Sequence, residues 1–126
     1  MNTKHCTSLE LSQRLAKLGC KQKSLFFWAK YDDGKYAIGY DEMAIERECA
    51  AFLASELMEM LPQLKIKNKW YVVICYQFMG IHGWKCDLLS LDMKNIYHSE
   101  VSITMPEAMG LMLAYLIENG LITDKI

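Results

Sequence analysis

The chain has 126 residues, 52% of them hydrophobic and 23% charged, with a formal net charge of −1 and two prolines. That is one domain's worth of chain, apolar enough to bury a core, and it excludes a disordered tail, which needs low hydrophobicity and a large net charge. Residues 1–126 are expected to form a single domain.

Met1 to Ser8 carry no apolar run, so neither a secretory signal nor a membrane anchor is expected there. The stretch Trp70 to Trp84 is apolar and charge-free, but Gln77, Gly80, His82 and Gly83 interrupt it. It is also shorter than the roughly 18–20 apolar residues that a spanning helix requires. The five cysteines (Cys6, Cys20, Cys49, Cys75, Cys86) form no C-x-x-C pair and no metal or disulfide framework. A soluble protein in a reducing cytoplasm is the simple expectation.

Charge is segregated along the chain. Residues 1–30 carry a net +5, residues 31–62 a net −6, the next 36 a net +3 and the last 28 a net −3. Such alternation usually reflects which elements face each other, although it can also steer a charged partner.

The first expected element is a helix over residues 8–18. Thr7 and Glu10 have capping-box spacing, Leu11, Leu15 and Leu18 recur at helical spacing, and Gly19 suits the C-terminal cap. Two aromatic-rich strands follow, Ser24 to Tyr31 and Tyr36 to Tyr40, around the turn Asp32-Asp33-Gly34-Lys35. In this ribbon Phe26 and Trp28 share one face, with Phe27 and Ala29 on the other. Residues 41–50 fit either a strand or a helix. A second helix is expected over about 51–60, with Phe52, Leu53, Leu57, Met60 and Leu61 as its apolar stripe and Pro62 ending it. Trp70 to Met79 reads as a central strand, turning at Gly80–Gly83 into a partner strand from Trp84 to Leu91. Asp92 to Val101 reads as a polar connection that can hold a short edge strand.

The last helix has the clearest signals. Thr104 and Glu107 repeat the capping-box spacing, Pro106 sits in the first turn, and Gly120 closes the element after Asn119. It is apolar nearly all round, and Gly110 and Ala114, four residues apart, allow a close backbone approach. The expected order is α-β-β-α-β-β-α: an α+β fold with one antiparallel sheet of about four strands and three helices.

Three stretches, LELSQRLAKLGCKQKSLFFW, AAFLASELMEMLP and PEAMGLMLAYLIENGLI, resemble small phage and prophage proteins of gut bacteria whose function is unknown. The chain departs from that pattern where a threonine-type cap commonly opens the middle helix, since Leu53 stands there. The resemblance implies this fold and a phage-type setting, and it carries no catalytic residues.

The search for chemistry is mostly negative. Neither G-x-G-x-x-G nor G-x-x-x-x-G-K-[ST] occurs. His82 and Cys86 have H-x-x-x-C spacing, but a metal site needs further convergent ligands, which His98, Asp87 and Asp92 do not supply by spacing. No metal and no cofactor are expected. Asp32 and Asp33 are better read as turn residues than as paired catalytic carboxylates. The nine methionines, among them Met58, Met60, Met105, Met109 and Met112, are read as core or interface residues more than as an adaptable groove.

Three functional readings remain. The leading one is a non-catalytic protein-interaction module that binds an unidentified protein and forms a symmetric homodimer through Met109, Gly110, Leu113 and Ala114. The alternative is a nucleic-acid-associated protein using Lys65, Lys67, Lys69 and Trp70, against which the sequence pI of about 6.3 argues. The third is a small enzyme without a recognisable motif, using His98 and Glu100 as an acid/base pair.

Overall fold

The computed structural model describes residues 5–31, 33–40, 47–61, 63–78 and 83–122. Among these residues the elements run α1 (Leu9–Lys17), β1 (Phe26–Lys30), β2 (Tyr36–Tyr40), β3 (Arg47–Ala51), α2 (Ala54–Met60), β4 (Leu64–Ile66), β5 (Lys69–Gln77), β6 (Trp84–Ser90), β7 (Ile96–Ser102) and α3 (Met105–Glu118). The fold is α+β with antiparallel pairing. Its strands form two sheets, ordered β2-β1-β3 and β4-β5-β6-β7, where one sheet of about four strands was expected. The added strands have weak signals. β3 spans the end of the ambiguous 41–50 stretch and Ala51, β4 is three residues long, and β7 is a seven-residue strand where a polar connection with at most a short edge strand was expected.

The local chemistry explains the helix ends. Ser8, one residue after the expected Thr7, caps α1, and its side chain accepts from the Leu11 amide. Thr7 is instead buried and ties three elements together. Its hydroxyl accepts from the Phe52 amide at 3.1 Å, its carbonyl accepts from Trp28 Nε1 at 3.0 Å, and its hydroxyl lies 2.6 Å from that of Ser12. Gly19, at φ +86°, closes α1, with the Cys20 amide donating back to the Leu15 carbonyl. Helix α2 starts at Ala54, later than expected. Leu53 has no side-chain acceptor, and the Glu56 carboxylate takes the Leu53 amide at 2.8 Å instead. Leu61 has extended dihedrals, as the residue before a proline should; Pro62 lies outside the described residues.

In α3 the Thr104 hydroxyl accepts from the Glu107 amide. The Glu107 carboxylate does not complete a box; it reaches Ser8, bonding both its amide and its hydroxyl at the start of α1. The β1–β2 ribbon forms with the expected faces, Phe26 pairing with Tyr40 and Lys30 with Tyr36. Phe27 belongs to the main core, while Trp28 and Phe26 belong to a second cluster with Cys6, Cys49 and Ala51.

Helix α3 is the centre of the main core. It packs on β5, β6, β7, α1 and α2, which accounts for apolar residues around its whole circumference. The expected self-association residues Met109, Gly110, Leu113 and Ala114 are all buried inside this one chain. The close approach predicted at Gly110 is real but intramolecular. A Cβ there would stand 2.6 Å from Leu11 Cδ2 and 3.0 Å from Thr7 Cγ2. These four residues therefore offer no surface to a second copy.

Candidate interaction surface

The hydrogen-bond phase of the second sheet determines which groups it leaves open. Leu91 N donates to Trp70 O at 3.0 Å and Phe78 N donates to Gly83 O at 2.9 Å, and both pairs continue the β5–β6 register. Hydrogen-bonded and non-hydrogen-bonded pairs alternate in an antiparallel ladder. Odd-numbered β6 residues therefore turn their main-chain groups toward β5 and even-numbered ones toward β7. The bond from Ser90 N to Asn95 O agrees with this phase. Cys86 and Leu88 then bond Glu100 and His98, and the amides and carbonyls of Ser99 and Val101 point to the free edge.

The two edges of this sheet differ. β4 has three residues and is followed by Lys67, with Lys65 within it, so it is short and charged. β7 has seven residues and contains neither lysine nor proline. Its Ile96 and Val101 are 52% and 57% exposed, and Ile103 just beyond it is 76% exposed. Short length, lysine, proline and β-bulges are the usual means of protecting an edge, and β7 lacks the first three. Its one irregularity is a register shift opposite Leu88/Leu89.

On the face of β7 toward α3, the His98 ring stacks on Tyr115 with centroids 3.5 Å apart, and Nε2 meets the Glu100 carboxylate. Tyr97 stands edge-on to Tyr71 at 5.6 Å. The sequence reading paired His98 with Glu100, and the structure brings them into contact. Tyr115 is pushed above the ordinary phenol range, first by burial and then by the negative charge around it.

On the opposite face, buried Asp87 accepts from Tyr76 Oη at 2.7 Å and Ser99 Oγ at 2.6 Å, with Lys85 Nζ 3.8 Å away. These partners satisfy the carboxylate, and the Asp87 bond is the main reason the Tyr76 phenol is raised. No sequence signal marked this network, because its members come from three strands.

Lys65 and Trp70 are register partners, and Lys65 Nζ lies 5.9 Å from the Trp70 ring centroid. Trp70 is 48% exposed. Lys67 occupies the β4–β5 turn at φ +49°. Lys69 pairs with Asp92 at 3.5 Å, across the end of the sheet. The β6–β7 turn adds Lys94 and the exposed Leu91 and Met93 at that same end, a contribution the sequence reading missed. His82 lies outside the described residues, and Cys86 is fully buried. Among the described residues no three His, Cys, Asp or Glu side chains converge as a metal site. Asp33 accepts from the Lys35 amide at 2.9 Å, in keeping with the turn reading; Asp32 lies outside the described residues. Met109, Met112 and Met60 are core residues, whereas Met58 is exposed.

No family model, no curated protein and no solved structure matches the chain. Among the described residues no helix is long and apolar enough to cross a membrane.

Proposed function

We propose that the chain is a non-catalytic protein-interaction module that pairs with a second copy through β7. The resulting homodimer displays two open sheet faces to a protein partner. The observation that carries this reading is the seven-residue edge with outward amides at Ser99 and Val101 and exposed Ile96 and Val101. A strand placed there gains main-chain hydrogen bonds and covers apolar side chains.

The occupant is a second copy because β7 is self-complementary. About a twofold axis through Ser99, His98 of one copy stands opposite Glu100 of the other, both on the side facing α3. In the same register Val101 of each copy stands opposite Tyr97 of its mate, one residue from Ile96. A histidine directly across from a carboxylate in an antiparallel pair can hydrogen-bond to it, as cross-strand side-chain partners do. The contact is isologous, so it closes at two copies and leaves no free long edge.

Sedimentation at rising protein concentration tests the proposal. The native chain is expected to sediment as a dimer, and Val101→Pro, which removes an outward amide without touching the β6–β7 bonds, as a monomer. Val101→Lys is the second variant, should proline disturb the strand. A native monomer at all concentrations, or a dimer that persists in both variants, overturns the reading.

A second reading has one observation of its own: Lys65, Lys67, Lys69 and Lys94 gather with Trp70 at one end of the sheet. We infer from it a single-stranded nucleic-acid contact, whose binding weakens steeply with salt and weakens further with the lysines neutralised. Binding that ignores salt excludes it. The protein reading is favoured because Lys65 already lies over Trp70, the ring face on which a base would stack.

A further inference from the structure

We propose that Cys75 and Cys86 form a dithiol site that reacts with hydroperoxides to give a cross-strand disulfide. The two residues are register partners on β5 and β6. The hydrogen-bond phase fixed by Leu91 N to Trp70 O and Phe78 N to Gly83 O makes 75↔86 a non-hydrogen-bonded pair. Such pairs hold their Cα atoms about 4.5 Å apart, with the side chains leaning together. That separation lies within the range that disulfides span, roughly 4.4–6.8 Å. Both side chains point to the core face of the sheet, and the two thiols share a hydrogen bond.

The two cysteines have different surroundings, which assigns each a role. Cys75 is partly exposed and Cys86 is fully buried. The bond from Cys86 holds the Cys75 thiol below its ordinary range, whereas the same contact, together with burial, pushes Cys86 up. Cys75 is thus the nucleophile. Its thiolate attacks one peroxide oxygen and breaks the O–O bond, giving a sulfenic acid and, with its proton, water. Cys86 sulfur then attacks the Cys75 sulfur. Hydroxide leaves, takes the Cys86 proton and departs as a second water. Two thiols lose two electrons and two protons, and one hydrogen peroxide becomes two waters. Cys6, Cys20 and Cys49 are buried with thiols pushed up to about 11, which keeps them out of this chemistry.

The test uses the intact native protein and hydrogen peroxide, followed by alkylation without denaturation, digestion and mass spectrometry. The expected result is a mass loss of two hydrogens, a linked peptide pair containing Cys75 and Cys86, and reversal by a dithiol reductant. Cys86→Ser is expected to leave a sulfenic acid at Cys75 that dimedone traps, and Cys75→Ser to form neither product. Native protein whose cysteines all stay reduced under peroxide overturns the proposal without recourse to any variant, as does a bridge between other cysteines. The result does not depend on β7, so it stands or falls apart from the dimer.

Discussion

Gly110 sets how closely α1 approaches α3. An added Cβ stands 2.6 Å from Leu11 Cδ2, the end of a flexible side chain, and 3.0 Å from Thr7 Cγ2, which is held by the bonds Thr7 makes to Phe52 and Trp28. Gly110→Ala is therefore expected to cost about 1–3 kcal/mol through overpacking, read by equilibrium unfolding in urea. Stability equal to the native chain would mean that the two helices separate freely. Glu107 holds the same junction by accepting from the amide and hydroxyl of Ser8 at the positive end of α1. Glu107→Ala removes both bonds, and a loss of about 1.5–3 kcal/mol in the same assay is expected for a charged acceptor. The buried thiols give the protein a pH dependence. Cys6, Cys20 and Cys49 are raised from 9.0 to about 11, chiefly by burial, so the folded state keeps protons that the unfolded state releases. Their contribution is complete below pH 9 and is lost as pH rises through 11. Midpoints of thermal unfolding should fall across that window, and should fall less in Cys20→Ala.

Elements with strong local signals were legible in the sequence. The leucine spacing and Gly19 mark α1, and Thr104, Pro106 and Gly120 mark α3, because caps and prolines act within one helical turn. The β1–β2 ribbon carries both its turn and its face alternation in ten or so residues. Long-range pairings were not legible. The stretch Ile96–Ser102 contains His98, Ser99 and Glu100 and looks polar, yet pairing with β6 and packing under α3 make it a strand. The partners of Thr7 and Glu107 were invisible for the same reason, since each bonds residues tens of positions away. At the candidate site, the sequence showed the basic residues Lys65, Lys67 and Lys69 beside Trp70 and the His98–Glu100 pair, but not their hairpin or the β7 edge, which exist only once strand pairing is known. Val101→Lys belongs to this scale. It is expected to lower the dimer fraction at least tenfold while leaving the far-ultraviolet circular dichroism unchanged. Unchanged association would show that the edge is not the contact.

For the whole molecule, charge segregation resolves into internal pairing. Arg14 of the basic first stretch bonds Glu118 of the acidic last one. Lys21 and Lys23 line a cleft of about 330 Å³ with Glu56 and Glu59. At the lysine-rich end of the second sheet, Lys69 has an acidic partner, Asp92. The apolar excess of α3 is likewise consumed inside the chain, so the association proposed above uses a different surface, the outer edge of β7. Amide hydrogen exchange at Ser99 and Val101, measured at high and low protein concentration, reads this claim most directly. Slow exchange is expected at both amides in concentrated protein and fast exchange on dilution, with Glu100 protected in both. Fast exchange at Ser99 and Val101 in concentrated protein would contradict it.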